Sequence, residues 1–381
     1  MIIISTHAPF SLDGDPIANT GYSIPMVLED RGIDFCIIYH SLHGGHNSCI
    51  TEYIGGKRLK YVSKYSTSKN LFFKSIHELF ITVKIVMKFN KDVIKIDRFI
   101  GIDPLNAIFG IIVRKFLGIN ISNIIFYTAD YADQRFKNKM LNSIYHKIDI
   151  YSAKESDEVW SVSNKINNLR IHQGIMKEKC KTVINSMYMP RRGRVNLKSK
   201  QMNKLILVST IVGAMELISL MRAIKLLKEK KKNFVLTIVG VEKLDNKIQK
   251  YISKHKLDSN VRLIKYLDHD NLVKYLDASS IGIAIYKRTE SNPWIDYCDS
   301  MKMRDYMASG NPVIMSDFLE NASELENFAL GKAVSFDDYK SIASAIEMIT
   351  SSRRAYMQYA TRALKYSETT SFEKSIKHIL N

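Results

Sequence analysis

Residues 297–317 hold the most specific chemistry in the chain and read YCDSMKMRDYMASGNPVIMSD. The pattern predicts a helix that begins at about Ser300 and ends at Gly310, followed by a buried strand over residues 313–315. A helix N-terminus attracts anions through its free N–H groups and the positive end of its dipole, and Lys302 adds a charge suited to a diphosphate. The segment therefore predicts a phosphate-binding helix end. The plainer alternative is a capped helix with a solvated lysine.

A second group of polar residues follows the apolar run at 124–127, in the segment IIFYTADYADQRF. A buried strand is predicted to end there, so Asp130 and Asp133 follow it closely, with Arg135 just behind. A carboxylate at a strand end can take the proton from an attacking hydroxyl group, which makes both aspartates candidate general bases. The alternative is a cap for the helix predicted from Phe136, a role that suits Asp133 better than Asp130.

Three further features have competing explanations. His7 ends the first predicted strand and is expected either to contact a ligand or to be satisfied within the fold. Asp103, in GIDPLN, is a second candidate for a ligand-binding cleft, with a turn or helix N-cap as the alternative. Asp13-Gly14-Asp15 spells DxD, a spacing that can chelate a cation, although a turn is the favoured explanation. The four cysteines are scattered without CxxC pairing, so we predict no zinc site, no disulfide framework and no catalytic metal.

The elements that must position these residues alternate between short apolar runs and segments of helical period. This pattern predicts an α/β fold with two Rossmann-like, doubly wound domains. The predicted strands are 2–5, 34–39, 124–127, 158–162, 181–184, 205–209, 234–239, 261–265 and 281–286, and the predicted helices are 17–31, 104–117, 136–153, 214–228, 246–255 and 271–277.

The predicted domains are an N-terminal domain over residues 1–190 and a C-terminal domain over 204–365, joined by a basic linker over 191–203. Residues 366–381 are expected to form a C-terminal helix that packs back on the N-terminal domain. Parallel sheets bind ligands at the carboxyl ends of their strands, so two such domains facing each other predict a ligand site in a cleft between them.

At residues 300–313 the sequence becomes recognisable. The pattern S-M-K-x-x-[DEQ]-Y-x-x-x-G-x-P-V resembles the donor-binding segment of GT-B glycosyltransferases. The Ser-Met-Lys version is similar to that of the xanthan glucuronosyltransferase family, whose members are inverting and membrane-associated. The resemblance extends to residues 281–286 and to residues 3–32, including the pair Ala18-Asn19.

The resemblance implies a role for each matching residue of the donor site. Lys302 is expected to bind the donor diphosphate, Ser300 and Met301 the nucleotide, and Asp305 the ribose hydroxyls, with Tyr286 lining the base pocket. In the first domain the resemblance favours Asp130 as the base, with Asp133 in reserve, and leaves His7, Asn19, Asp103 and Arg135 as acceptor or cleft candidates.

Two departures from the superfamily pattern weaken a retaining mechanism. Retaining members usually carry a glutamate eight residues before the position of Asp305, where this chain has Tyr297. They also carry Arg and Lys on the loop after the first strand of the second domain, where this chain reads TIVGAMEL. The resemblance then implies an inverting enzyme that leaves Lys302 as the main phosphate cation.

The formal net charge of +18 implies an anionic partner. Residues 57–95 hold ten basic and two acidic residues interleaved with apolar ones. We read this stretch as a basic amphipathic helix that can lie on an anionic bilayer, or equally as a domain helix with its lysines in water. The longest apolar runs, 79–89 and 107–119, are interrupted by charges, so no membrane span is predicted, and no signal peptide is recognised.

The expected function is transfer of a sugar from a nucleotide-sugar, expected to be a UDP-sugar with UDP-glucuronate as one option, to a lipid-linked or polysaccharide-precursor saccharide. The expected location is the cytoplasm, on the inner face of the cytoplasmic membrane. A retaining GT-B glycosyltransferase or a sugar-nucleotide epimerase is the alternative within the same fold. A basic nucleic-acid-binding protein is the alternative from another class, although no nucleic-acid-binding motif supports it.

Overall fold

The computed structural model describes residues 1–10, 23–66, 68, 70–92, 94–186, 188, 195–209, 214–289 and 293–380. The chain divides into two compact units. Unit 1 comprises Met1–Pro190 together with Phe372–Asn381, and unit 2 comprises Arg191–Ser371. Each unit is an α/β layer structure built on its own sheet, so the predicted fold class is confirmed.

Unit 1 contains an eight-stranded sheet in the order β4-β3-β2-β1-β5-β6-β7-β8. All neighbours are parallel except the β2–β3 and β3–β4 pairs, which are antiparallel. The strand order reverses between β1 and β5, which is the switch point where open α/β sheets bind ligands. The strands are β1 (Ile2–Ala8), β2 (Phe35–Ser41), β3 (Asn47–Ile54), β4 (Lys57–Ser66), β5 (Ile96–Ile102), β6 (Ile121–Thr128), β7 (Glu158–Ser161) and β8 (Cys180–Thr182).

The helices that cover this sheet are α1 (Ser23–Asp30), α2 (Leu71–Lys91), α3 (Pro104–Phe116), α4 (Lys139–Glu155) and α5 (Asn164–His172). The close approach of α3 to β5 requires a glycine. A Cβ on Gly101 would lie 2.3 Å from backbone atoms of Ala107, so only glycine permits this tight strand-to-helix turn. The turn fixes Asp103 at the carboxyl end of β5.

Residues 57–95 do not form one helix, which corrects the prediction for this stretch. The first ten residues form β4, an edge strand paired with β3, and α2 begins only at Leu71. Basic side chains are common on edge strands because they discourage pairing with another chain, and this is why the charge excess there does not indicate a helix. The strands β3, β4 and β5 are additional to those predicted from sequence.

Helix α2 has apolar residues on two opposite sides. One side, with Ile81, Ile85, Val86 and Phe89, is buried against the sheet. The other side is exposed, with Phe72, Phe73, Ile76, Phe80 and Met87 between 41% and 68% accessible. We call these five residues the α2 stripe. Among the described residues, no helix is both long and apolar enough to cross a membrane.

Unit 2 contains a six-stranded, fully parallel sheet in the order β11-β10-β9-β12-β13-β14. Its switch point lies between β9 and β12. The strands are β9 (Lys204–Val208), β10 (Val235–Val239), β11 (Val261–Ile264), β12 (Ile281–Ala284), β13 (Val313–Ser316) and β14 (Gly331–Val334), and the helices are α6 (Ala214–Glu229), α7 (Asn246–Lys254), α8 (His269–Ala278), α9 (Met301–Ala308), α10 (Asn321–Asn327), α11 (Tyr339–Ile349) and α12 (Arg353–Thr369).

Helix α9 is held against β12 by a glycine and a tyrosine. A Cβ on Gly282 would come within 2.2 Å of the Tyr306 ring, so the missing side chain admits the ring to the sheet. The Tyr306 hydroxyl donates to the carbonyl of Ile283 at 3.1 Å and accepts from the N–H of Val208 at 2.9 Å. Gly310, with φ of +66°, ends the helix as predicted. The N-terminus of α9 is thereby fixed relative to β9 and β12.

The described part of the predicted linker, residues 195–203, belongs to unit 2. Lys200 is buried and its Nζ donates to the carbonyls of Asp277 and Ser279 at 3.0 and 2.6 Å. Arg353 donates to the carbonyl of Lys200 at 2.7 Å. Composition predicted a basic linker, and in its described part these basic groups satisfy backbone carbonyls left over at element ends.

The C-terminal residues return to unit 1 from Phe372, not from residue 366, because α12 continues to Thr369. The returning segment is a short helix, α13 (Phe372–Ser375), followed by a turn. Phe372 is fully buried, Glu373 forms an ion pair with Arg31, and His378 bonds Glu158 at 3.0 Å.

Candidate active site

The N-terminus of α9 brings together three residues singled out from the sequence. Ser300 is the N-cap, and its Oγ accepts from the N–H of Met303 at 3.4 Å. Tyr286, which follows β12, has its hydroxyl 3.4 Å from Ser300 Oγ. The Nζ of Lys302 lies 4.7 Å from the centroid of the Tyr286 ring, a cation–π contact. A hydroxyl, an aromatic face and a cation therefore meet at one helix end.

Two other predicted donor residues differ in exposure. Met301 is 37% exposed at the first turn of α9, whereas Asp305 is only 6% exposed. Asp305 lies on the side of α9 that packs into unit 2, so little of its side chain is open to a ribose. Tyr297, at the position where retaining relatives carry glutamate, lies in a 3₁₀ turn over Pro293–Tyr297.

The structure adds a cation that sequence reasoning missed. Arg288 follows β12 and donates from Nε to Asp296 at 2.6 Å, while its guanidinium lies 4.5 Å from the centroid of the Phe318 ring. Arg288 and Lys302 therefore both lie in segments at the carboxyl edge of the sheet of unit 2. The only sequence signal was the position of Arg288 just after a predicted strand.

In unit 1 the candidate residues collect at the carboxyl ends of β1, β5 and β6, three adjacent strands around the switch point. His7 lies near the end of β1, Asp103 follows β5 and Asp130 follows β6. Asp103 interacts electrostatically with both Asp130 and His7. The structure therefore brings these three residues together, as their positions at strand ends predicted.

Asp130 and Arg135 form an ion pair in which both guanidinium Nη atoms face the carboxylate. The Asp130 side chain is 37% exposed and that of Arg135 is 28% exposed, so the pair is reachable from solvent. Burial opposes the charge of Arg135, but the neighbouring carboxylate of Asp130 outweighs it and raises the pKa of the guanidinium. Asp130 is thus held in one orientation.

Asp133 is exposed and does not cap a helix, which corrects the alternative considered for it. Helix α4 begins at Lys139, and its cap is Asn138, whose side chain accepts from the N–H of Leu141 at 3.0 Å. The predicted start at Phe136 was three residues early because a separate turn precedes the helix.

The turn before α4 is stabilised by side chains whose importance was not predicted from the sequence. Asn142 Oδ1 accepts from the N–H of Arg135 at 2.8 Å, and Asn142 Nδ2 donates to the carbonyl of Asp133 at 3.0 Å. Beneath it, the fully buried Arg170 bonds Asp149 and the Oγ1 of Thr128, the latter at 3.0 Å. The loop that carries Asp130 is therefore rigidly supported.

Asp103 has an unusual backbone and an unusual acidity. Its φ and ψ are 73° and 156°, a region rarely adopted by residues other than glycine, and its side chain makes no capping hydrogen bond. Burial, reinforced by the charge of Asp130, raises the pKa of Asp103 to about 6, although Arg135 and His7 act in the opposite direction. A carboxyl group with such a pKa exchanges protons near neutral pH.

His7 is 8% exposed, and both of its ring nitrogens have partners inside unit 1. Asn106 Nδ2 donates to Nδ1 at 2.9 Å, so Nε2 carries the hydrogen and donates to Glu78 at 3.1 Å. This is the satisfied strand-end histidine that the sequence left as one alternative.

Two predictions fall outside the described residues: the acceptor candidate Asn19 and the Asp13-Gly14-Asp15 sequence. Within the residues that are described, no group of three or more His, Cys, Asp or Glu side chains is arranged to hold a metal ion.

Comparison with known proteins gives the site a chemical context. Residues 191–366 match the family described as Glycosyl transferases group 1, and this match spans almost all of unit 2. No curated protein matches the sequence.

Solved structures resemble the chain over its whole length. Sucrose-phosphate synthase from Thermosynechococcus elongatus has a TM-score of 0.65 at 13% identity, covering 99% of this chain and 97% of that chain. The Anabaena protein HepE in complex with UDP has a TM-score of 0.63 at 12% identity, covering 100% and 99%. A putative UDP-N-acetylglucosamine 2-epimerase from Listeria monocytogenes has a TM-score of 0.61 at 11% identity, covering 99% and 95%. At such identities the likeness is one of fold.

The chain therefore has the two-domain GT-B fold of these solved structures, and residues 191–366 of unit 2 carry the group 1 glycosyl transferase sequence pattern. The match in unit 2 agrees with the predicted glycosyltransferase class.

Proposed function

We propose that this protein is a glycosyltransferase that moves a sugar from a UDP-sugar, with UDP-glucuronate as the first donor to try, to a lipid-linked or polysaccharide-precursor saccharide. Unit 2 binds the donor, and unit 1 supplies an aspartate base. The product has the inverted anomeric configuration. The observation that carries the proposal is the meeting of Ser300, Lys302 and Tyr286 at the N-terminus of α9.

The donor half of the proposal rests on charge and shape at that helix end. A diphosphate placed there meets the N–H groups of the first turn and the ammonium group of Lys302. The Tyr286 ring, 4.7 Å from Lys302 Nζ, offers a flat apolar face of the kind on which a nucleotide base stacks. UDP is the nucleotide in the HepE complex of the same fold, which supports UDP as the first choice.

The chemical half rests on the carboxylates at the ends of β5 and β6. In an inverting transfer the acceptor oxygen forms its bond to C1 as the bond from C1 to the diphosphate oxygen breaks. UDP then leaves with the electron pair, and a base takes the acceptor proton. Asp130, reachable from solvent and oriented by Arg135, is the proposed base. Asp133 stays the reserve, and Asp103 adds a neighbouring carboxyl able to exchange protons near neutral pH.

We propose that the α2 stripe contacts the membrane that holds a lipid-linked acceptor. Five exposed apolar side chains lie on one side of α2, and Lys84 and Lys91 lie on the same helix near the stripe. Apolar side chains flanked by lysines suit the surface of an anionic bilayer. The location that we propose is accordingly the inner face of the cytoplasmic membrane.

No resident metal is part of the proposal, because Lys302 and the first turn of α9 supply positive charge for the leaving diphosphate. Turnover in excess EDTA should equal turnover with added magnesium. A loss of activity in EDTA that magnesium restores would contradict this.

The decisive experiment combines a donor panel with analysis of the product. Purified protein is incubated with UDP-, GDP- and CMP-sugars and a lipid-linked saccharide, and the anomeric configuration of any new linkage is read by NMR. Transfer from a UDP-sugar with inversion supports the proposal. Retention of configuration would overturn the base mechanism, and a free epimerised sugar without transfer would favour the epimerase alternative.

A further inference from the structure

Asn321, the first residue of α10, lies directly behind the donor-binding end of α9. It is 6% exposed. Its Oδ1 accepts from the backbone N–H of Ser300 at 3.0 Å. Its Nδ2 donates to Asp299 Oδ1 at 2.8 Å and to Glu324 Oε2 at 3.0 Å. One amide thus joins the N-cap of α9 to two acidic side chains.

These partners fix which way the amide points. Two carboxylates on one side require the NH₂ group, and a backbone N–H on the other requires the carbonyl oxygen. A flipped amide would set oxygen against oxygen and N–H against N–H. Every polar atom of the Asn321 side chain therefore has a partner that only this orientation satisfies.

The two carboxylates are in turn held by one buried guanidinium. Arg304, whose side chain is 7% exposed, bonds Asp299 at 3.1 Å and Glu324 at 2.7 Å. Burial alone would raise the pKa of Glu324, but Arg304 outweighs it and holds this pKa below its ordinary value. Tyr366, near the end of α12, adds a hydrogen bond to Glu324. The cluster holds two carboxylates and one guanidinium.

A cluster of this kind is costly as a stabilising device, because each buried charge must be stripped of water. Its geometric effect on the donor site is specific. The Ser300 N–H is already bonded to Asn321, so the anion-binding groups left at the helix end are the N–H groups of Met301 and Lys302 and the Lys302 ammonium. The cluster thereby sets where a diphosphate can bind.

We propose that Asn321 is a positioning residue for the donor: it fixes the backbone of Ser300 so that the first turn of α9 presents its N–H groups to the diphosphate. The inference rests on the proposed donor function of this helix end. Asn321 itself does not touch the donor. It acts through Ser300 and depends on Asp299, Glu324 and Arg304 for its own orientation.

The substitution Asn321→Asp gives the inference a distinctive pH signature. An ionised aspartate can still accept from Ser300, but it places a third carboxylate against Asp299 and Glu324, where two hydrogen bonds are lost and like charges repel. A protonated aspartic acid can donate again and restores one of these bonds. Nucleotide affinity of this variant should therefore recover as the pH falls.

The test is calorimetric titration of the full chain with UDP at pH 8 and pH 5. At each pH, affinity is expressed relative to wild type, because the terminal phosphate of UDP itself takes up a proton in this range. We expect Asn321→Asp to bind about tenfold more weakly than wild type at pH 8 and within about threefold of it at pH 5. Asn321→Ala should bind about tenfold more weakly at both values.

A matched control separates positioning from loss of stability. Ile248, fully buried on α7 in the main core of unit 2, is replaced by Val to lower the melting temperature without touching α9. That variant should bind UDP as wild type does. If an Asn321 variant does not fold, Tyr366→Phe replaces it, since it removes one bond to Glu324, and a twofold to threefold loss of affinity is expected.

The outcomes distinguish the inference from the function on which it rests. Wild-type protein that binds no UDP at either pH would refute the donor site and the inference with it. Wild-type binding with unchanged affinity in both Asn321 variants would refute the inference alone. Equal weakening of Asn321→Asp at both pH values would also refute it, because restoring a hydrogen-bond donor would then not restore binding.

Discussion

The two candidate sites, one in each unit, hold their key groups in opposite ways. At the end of α9 in unit 2, the N-cap Ser300 is tied through Asn321 to a buried cluster of charges that satisfy one another. At the switch point of unit 1, Asp130 is held by Arg135, but Asp103 sits on a strained backbone without a capping bond.

This difference matches two kinds of task. Binding a diphosphate, whose charge and shape are constant, benefits from donors that are fixed before the ligand arrives. Proton transfer benefits instead from a carboxyl group whose pKa lies near the working pH, which requires a group that burial leaves poorly satisfied. The proposed donor site of unit 2 is therefore fixed before the ligand binds, whereas the proposed base site of unit 1 keeps a carboxyl group that can exchange protons.

The strongest test of the comparison is Asp130→Asn. The amide keeps the shape of the carboxylate but cannot accept the proton, so turnover should fall about 10²- to 10⁴-fold. UDP affinity should stay the same, because the donor-binding residues lie in unit 2. Steady-state kinetics with calorimetry of UDP binding provides both readings.

Asp133→Asn is the control for that experiment. Asp133 is exposed on the same loop, so its loss should leave turnover near wild type. A folded but inactive Asp133→Asn protein beside an active Asp130→Asn protein would move the base by three positions. Full activity in both would remove the base from this loop.

The binding task of unit 2 is tested by Lys302→Ala. The loss of a charged hydrogen bond to the diphosphate costs about 1.5 to 3 kcal/mol, so UDP affinity should fall about ten- to hundredfold. Lys247→Ala, an exposed lysine on α7, is the control for charge alone. Equal affinities of wild type and Lys302→Ala, measured by calorimetry, would contradict the donor assignment, and Arg288 would become the next cation to test.

The same division marks what the sequence could predict. The helix from Ser300 to Gly310 was readable because capping and termination are local, and the meeting of His7, Asp103 and Asp130 followed from strand ends sharing one edge. The role of Asn321 could not be predicted from the sequence, because its contacts with Asp299 and Glu324 depend on how α9 and α10 pack together. The α2 stripe was predicted only in part. Periodicity identifies an amphipathic helix, but it does not show that a second apolar side stays exposed.

In the proposal, unit 1 also carries a membrane-binding surface, the α2 stripe, and unit 2 does not. Replacing both Phe73 and Phe80 with Ser should weaken binding to anionic liposomes about tenfold. Each replacement removes part of the favourable free energy of moving an apolar side chain from water into the bilayer. Co-sedimentation with vesicles at low and physiological salt measures this. Wild-type binding should also fade as salt rises, because the lysine contribution is screened over about 8 Å.

The matched control removes two other exposed phenylalanines, Phe116 on α3 and Phe328 after α10, which are 76% and 55% exposed. That double variant should bind vesicles as wild type does. Equal binding of wild type to neutral and anionic vesicles would argue against the electrostatic part of the proposal. No binding to either would remove the membrane from it.

The smallest expected effect concerns unit 1 alone and measures how much the buried charge of Asp103 lowers the stability of the protein. The pKa of Asp103 is about 6 in the folded protein, above the ordinary value of 3.8 expected when unfolded. Between these two pH values the folded state binds a proton that the unfolded state does not, so the contribution of Asp103 to stability falls as the pH rises from about 4 to 6. Asn has the same shape as Asp, so the strain of the backbone stays the same, and its side chain carries no charge. The substitution Asp103→Asn should therefore raise the free energy of unfolding by about 1 to 2 kcal/mol at pH 8 and hardly change it at pH 4. Thermal melts of both proteins at the two pH values measure this. If the stability difference between wild type and Asp103→Asn were equal at pH 4 and pH 8, Asp103 would not be a poorly satisfied carboxyl group. Unit 1 would then no longer differ from unit 2 in this respect.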